Sequence, residues 1–405
     1  MRFQKIAKRG EMDLKTVIVA GARTPFGKFG GKLSSLTASQ LGGIAIKAAL
    51  KRANTAAGDV DEVIMGNVLQ GGQGQLPSRQ AARHAGLPWE VKTEMVNKVC
   101  ASGMRSVTLG DQIIRSGDGE VIVAGGMESM SNAPYFLPQA RWGLKMGDVK
   151  LKDMMVHDGL TCAFSGVHMG TYGNRTAEIL ELSREFQDQW AFRSHQRALE
   201  AIRTGKFAEE IVPVEVPQRK GAAQIVETDE PPRPDTTIEK LAQLPPAFDH
   251  AGTITAGNAP GVNDGAAALV LMSEERAAKE GKKPLATILA HAAVAVEAGN
   301  FPQTPGLVIR EILKKTGKKL DGIDLFEVNE AFAAVALASS KIANLDLEKV
   351  NVNGGAVALG HPIGASGTRI ILTLAYELKR RGGGIGIAAI CSGGGQGDAV
   401  MIEVK

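Results

Sequence analysis

The chain carries two copies of one framework, and a cysteine falls at a different place in each. Ala101-Ser-Gly-Met-Arg105 reappears as Ala365-Ser-Gly-Thr-Arg369, and the same displacement carries Val121-Ile-Val-Ala124 onto Ile385-Gly-Ile-Ala388 without a gap. A displacement one residue shorter carries Ile46-Lys47, Leu50-Lys51 and Val60-Asp61 onto Ile309-Arg310, Leu313-Lys314 and Ile323-Asp324. On this frame Cys100 stands opposite Gly364, Cys391 opposite Met127 and His361 opposite Asn97. The scaffold is duplicated and the reactive groups are not. The pattern predicts two like halves with a single active site built asymmetrically between them.

Within each half, strand and helix signals alternate. Thr16 to Ala20 is a short β-branched run that ends in glycine and reads as a buried strand. Ser39 to Arg52 places Leu41, Ile44, Ala45, Ala48 and Ala49 at helical spacing. Strand Glu62 to Met65, helix Ala101 to Ser116, strand Val121 to Ala124 and strand Asp264 to Ser273 follow. The second half repeats the order with Ala286 to Ala290, Gly306 to Lys315, Leu325 to Val328, Ser366 to Arg380, Ile385 to Ala389 and Gly397 to Val404. The expected class is α/β, helices layered on mixed sheets. From about residue 131 to 261 the repeat has no counterpart. This stretch holds a polar helix, Ser183 to Thr204, and a proline- and charge-rich run, Pro213 to Asp235, expected to be mostly irregular. An insertion of that size more often covers a site or builds an interface than links two domains.

Composition narrows the partners. At 405 residues the chain exceeds one ordinary core, and 44% apolar with 22% charged residues is the balance of a globular protein in water. A net charge of +4, spread along the chain, gives no reason to expect nucleic acid but suits an anionic substrate. No apolar run reaches membrane-spanning length. Residues 1–12 are basic without an apolar core and are expected to be a disordered tail, with Met12 a possible second start. Three widely spaced cysteines argue against a disulfide framework and for the reducing cytoplasm.

Three segments carry chemistry. Cys100 follows a short extended run and precedes a helix, where the dipole and free N–H groups are expected to lower its pKa; a buried inert thiol is the alternative. His361 lies in the glycine-dense loop Gly354 to Gly367, with Pro362 fixing the next torsion. Such a loop holds an imidazole against a ligand, or lets it cap its own backbone. Cys391 ends a strand before Ser392 and three glycines. Bare backbone there can turn N–H groups onto a developing oxyanion. No Gly-Lys-Ser/Thr follows, so a phosphate loop is poorly supported. No Cys-x-x-Cys or His-x-x-x-His spacing is present, so no metal site is expected, and Cys162 reads as a packing residue. Asn329, after the strand Leu325 to Val328, is either a helix N-cap or a polar group holding a water.

Together these segments resemble the thiolase family over nearly the whole chain. The resemblance rests on the Cys100 segment, Gly125-Gly-Met-Glu-Ser-Met130, His168-Met-Gly170, Gly257-Asn-Ala259, Asn263-Asp-Gly-Ala266, Asn329-Glu-Ala-Phe332, Gly360-His-Pro-Ile-Gly-Ala-Ser-Gly367 and Cys391-Ser-Gly-Gly-Gly395. It implies a duplicated αβαβα layered fold with an inserted loop domain. The N-terminal domain would cover residues 13–283, including the insertion, and the C-terminal domain residues 284–405. It also implies a reversible Claisen condensation of two acetyl-CoA to acetoacetyl-CoA and CoA. Cys100 would be the nucleophile, His361 its base and Cys391 the base toward carbon. One oxyanion hole would use His361 and a water on Asn329, the other the N–H groups of Cys100 and Gly393.

By the same resemblance Arg233 would border the adenine of CoA. Ala259, Ala331 and Phe332 would line the pantetheine tunnel, and His168, Met169 and Leu160 would shape a short acyl pocket. Pro260 departs from the serine of many members and withdraws one hydroxyl from the pantetheine. CoA thioesters would be substrates, with no permanently bound cofactor and no metal. A homotetramer is expected, with residues 131–138 at its contact. A degradative 3-ketoacyl-CoA thiolase of broader chain length is the nearest alternative, and a non-enzymatic acyl-CoA binding protein of this fold a more distant one. Ketoacyl-ACP synthases use a histidine or asparagine where this chain has Cys391.

Overall fold

The computed structural model describes residues 14–405, and the tail expected over 1–12 lies outside them. The main strands, in chain order, are β1 Thr16–Arg23, β2 Glu62–Gly66, β3 Lys92–Val96, β4 Val121–Ser129, β5 Asn263–Ser273, β6 Ala286–Ala295, β7 Leu325–Val328, β8 Gly384–Ser392 and β9 Gln396–Val404. They hydrogen-bond in the order β7-β8-β9-β6-β1-β5-β4-β2-β3. Read outward from the middle, the two halves have one topology. β1 pairs antiparallel with β5, β5 antiparallel with β4, and β4 parallel with β2. β6, β9, β8 and β7 repeat these relations in turn. The halves meet where Val17 and Ile18 of β1 pair with Thr287 and Ala286 of β6.

Helices α1 Ala38–Arg52, α2 Pro77–His84, α3 Ser102–Ser116, α4 Met169–Ile179, α5 Arg184–Arg203, α6 Thr304–Thr316, α7 Ala333–Ala343 and α8 Ser366–Arg380 complete the layers. α1 and α2 cover the outside of the first half's strands, and α6 and α7 cover those of the second. α3 and α8 pack on each other between the two halves of the sheet. A middle-layer helix must be buried all round, and every residue of α8 from Ser366 to Leu378 is buried. The strands accordingly bury both faces. Val17 and Val19 face one core with α1, while Ile18 faces the central core with α3 and α8.

The insertion is more ordered than its composition suggests. Val214–Val216 and Gln224–Val226 form a hairpin inside the run expected to be mostly irregular. Its end is fixed from inside, because buried Asp229 accepts two hydrogen bonds from Arg23 at 2.7 and 2.8 Å. α5 packs on α7 and on the short helix Ala356–Leu359, so the insertion caps the second half beside the His361 loop. The helix expected from Asn329 starts later, at Ala333, with Phe332 as N-cap. Glu330 causes the delay: its carboxylate accepts from Trp190, Ser194, Asn351 and the Val357 N–H, which holds the chain in a bend.

Candidate active site

Three bends bring Cys100, His361 and Cys391 to the sheet ends beneath the insertion. Before Cys100, Val99 has φ +46°, a left-handed conformation that a β-branched residue adopts at a cost of about 1–3 kcal/mol. Local hydrogen bonds hold it there. Val99 N donates to Asn97 Oδ1 at 3.0 Å, and Ser102 Oγ accepts from Lys98 N at 2.8 Å and donates to Val99 O at 2.6 Å. Cys100 thus leads directly into α3. The backbone N–H groups of Gly393 and of Cys100 itself both donate to the thiol. The expected low pKa is nevertheless overturned. Burial outweighs those two donors and, with the nearby charge of Glu128, pushes the thiol up to about 12.

His361 is held at two points, and Asn329 stands beside it. Its N–H donates to Asn263 Oδ1 at 2.9 Å, its Nδ1 lies 2.6 Å from Ser366 Oγ, and Asn329 Nδ2 stands 3.5 Å from Nδ1. It does not cap its own backbone. Burial, with a contribution from the charge of Arg369, pushes the imidazole down to about 3, so the ring is neutral. His361 Nε2 and Asn329 Oδ1 are buried and without a partner among the described residues. A buried polar atom without a partner is costly and marks a place for a ligand or water. The loop is pressed onto β4, since a Cβ on Gly126 would stand 2.0 Å from the Gly364 carbonyl oxygen. Glycine on both sides is what allows this approach.

Cys391 lies near the end of β8 and is wholly buried. Burial raises its thiol well above the ordinary range, and charge on Cys100 adds to the rise, which marks the two sulfurs as neighbours. After it, Gly394 and Gly395 take φ of +80° and +78°, the turn that brings the Gly393 N–H back to Cys100. Both thiols and the imidazole are therefore uncharged at rest.

A cavity of about 180 Å³ opens onto Cys100, His361 and Gly393. Its walls include Leu160, His168, Met169, Ala259, Ala331 and Phe332, all expected from the sequence, together with Pro260. Cys391 and Asn329 lie behind the wall. Arg233 is exposed and does not line the cavity; its backbone N–H donates to His195 Nδ1 at 3.2 Å. His168 caps α4, accepting from Gly170 N at 3.1 Å, and its ring stacks on Phe248 at 4.3 Å. Burial lowers its pKa.

Phe248, Phe301, Met130 and Ile363 also line the cavity, and sequence reasoning missed them. Isolated apolar residues in irregular stretches carry no periodic signal. Cys162 is buried as expected of a packing residue. Burial raises its pKa, and hydrogen bonds from Tyr172, Ser165 and the backbone outweigh that and bring the thiol down to about 7. Among the described residues no His, Cys, Asp and Glu group is arranged to hold a metal ion.

Comparison with known proteins agrees with this layout. The family described as "Thiolase, N-terminal domain" matches residues 16–275, and "Thiolase, C-terminal domain" matches residues 282–404. A "Probable acetyl-CoA acetyltransferase" of Mycolicibacterium smegmatis is 49% identical over 96% of this chain and 100% of its own length. An "Acetyl-CoA acetyltransferase" of Pseudomonas aeruginosa is 50% identical over 95% of this chain and 98% of its own. The crystal structure of the Bacillus anthracis acetyl-CoA acetyltransferase superposes with a TM-score of 0.95 at 43% identity, covering 97% of this chain and 99% of that one.

Proposed function

The chain belongs to the thiolase family, and on that premise we propose that it is an acyltransferase that condenses two acetyl-CoA reversibly into acetoacetyl-CoA and CoA. The observation that carries this reading is the meeting of Cys100, neutral His361 and the Gly393 N–H at one end of an apolar cavity, with Cys391 behind. Protons can be followed from that uncharged resting state. Cys100 Sγ attacks the thioester carbonyl as its proton passes to His361. The oxyanion takes the N–H groups of Cys100 and Gly393, which already point at the sulfur. CoA leaves as a thiolate and takes the Cys391 proton, so the acetyl-enzyme holds a Cys391 thiolate and a His361 imidazolium.

That pair drives the second half. Cys391 removes a proton from the methyl carbon of a second acetyl-CoA. His361, with a water on Asn329, faces the enolate oxygen. The carbanion attacks the acetyl-cysteine, acetoacetyl-CoA forms, and Cys100 leaves and recovers its proton from His361. Every group ends as it began. Such a coupled pair is needed because burial makes neither thiol a base on its own.

CoA thioesters are the substrates, and the cycle uses no bound cofactor and no metal. Ala259, Ala331 and Phe332 would line the pantetheine path, and Arg233, outside the cavity, would meet the nucleotide end. Pro260 would offer it no hydroxyl. Met169, Leu160 and the His168–Phe248 stack crowd the cavity near Cys100, which favours a short acyl group. Exposed Tyr135, Trp142, Leu144, Met146 and Leu151, together with the open edge of β3, support a homotetramer. Both reactive thiols must stay reduced, which suits the cytoplasm; among the described residues no helix is long and apolar enough to cross a membrane. The substrate is tested by comparing thiolysis of acetoacetyl-CoA and 3-ketohexadecanoyl-CoA. The first is expected to be cleaved faster. Faster cleavage of the long chain would make this a broad 3-ketoacyl-CoA thiolase instead.

A further inference from the structure

We propose that Ser366 is a positioning residue that fixes His361 in the tautomer with the proton on Nδ1, leaving the Nε2 lone pair free for the Cys100 proton. The inference rests on the reading of His361 as the base. It comes from comparing one serine in the two halves. On the duplicated frame Ser366 is the twin of Ser102, and each opens the middle-layer helix of its half.

In the first half Ser102 Oγ is fully committed to backbone: it accepts from Lys98 N at 2.8 Å and donates to Val99 O at 2.6 Å. The twin of Lys98 is Pro362, which has no N–H. The donor that occupies Ser102 is therefore missing from the second half. Ser366 Oγ still donates to backbone, to Pro362 O at 2.9 Å, but its accepting lone pair is vacated. His361 Nδ1 fills that place at 2.6 Å.

A hydroxyl has one hydrogen, and with that hydrogen on the Pro362 carbonyl Nδ1 is the donor to Ser366 Oγ. Which ring nitrogen is protonated is set by what the other one meets. Asn329 Nδ2, at 3.5 Å from the same nitrogen, is too distant to impose the opposite tautomer. Ser366 is fully buried, so water does not compete for the imidazole. Nε2 then presents a lone pair, and no protein group among the described residues occupies it.

The test is nitrogen-15 NMR of the resting protein with labelled histidine, of which the chain has 7. Near neutral pH the His361 ring is expected as the Nδ1–H tautomer. In Ser366→Ala it is expected to shift toward the Nε2–H form, and single-turnover acylation of Cys100 by acetyl-CoA should fall about tenfold or more. In a His361→Ala background the same substitution should change the rate less than about twofold, because its effect passes through the ring. A wild-type ring protonated on Nε2, an unchanged tautomer in Ser366→Ala, or an equal rate loss without His361 would each overturn the proposal. The wild-type spectrum needs no variant to fold. It also needs no catalysis, so a chain that forms no acetyl-cysteine would defeat the proposed function and leave the tautomer question decided separately.

Discussion

Cys100, Cys391 and His361 are each pushed toward the uncharged form by burial, and this sets what the site does before substrate arrives. A thiol raised to about 12 holds little thiolate near neutral pH. Alkylation of resting Cys100 by iodoacetamide should therefore climb about tenfold per pH unit from about 7 to about 9 without levelling. A plateau near pH 7, followed by peptide mapping to Cys100, would mean that the helix terminus wins after all. Sequence context marked Cys100, His361 and Cys391 because glycines and helix starts are local signals. It did not give the direction of the Cys100 shift. Desolvation is summed over neighbours from both halves, and no segment of the sequence records it. Ser366 lay in plain view within the His361 loop, but its role emerges only when its twin's hydrogen bonds can be compared with its own.

At the scale of elements, Glu128 on β4 ties the segment Asn67 to Leu69, after β2, to the His361 loop. Its Oε1 accepts from Asn67 Nδ2 at 2.7 Å and Leu69 N at 3.1 Å, and its Oε2 from Val68 N at 3.0 Å and Gly364 N at 2.9 Å. All four acceptor positions face donors. Glu128→Gln would turn an NH2 group toward two of them, leaving buried donors opposed. Urea unfolding should show a loss of about 2–4 kcal/mol, and acylation should slow as the Gly364 loop loosens. Unchanged stability would show that the loops are held by packing alone. The repeat made most strands and helices legible, since each was predicted twice. Asn329 and the Val214–Val216 hairpin were not, because the contacts that shape them are made by Glu330 and Asp229 with residues far away in the chain.

At the scale of the molecule, duplication gives one continuous sheet of two like halves around a buried helix pair, and the insertion breaks the symmetry, setting α5 on the second half and the Val214–Val216 hairpin into the core of the first. The apolar side chains it exposes at Trp142 and Met146 are solvent-facing in the single chain. The proposed homotetramer predicts that Trp142→Ser with Met146→Ser leaves two chains rather than four in sedimentation, without changing the melting temperature. An unchanged tetramer would place the contact elsewhere. The central claim is that the two halves contribute separate steps: the nucleophile from the first, the carbon base from the second. Intact-protein mass spectrometry after rapid mixing with acetyl-CoA tests it most directly, with product analysed in the same samples. The account predicts an acetyl group on Cys100 in the wild type and in Cys391→Ala, none in Cys100→Ala, and acetoacetyl-CoA from the wild type alone. An acetyl adduct at wild-type yield in Cys100→Ala, or condensation by Cys391→Ala, would contradict it.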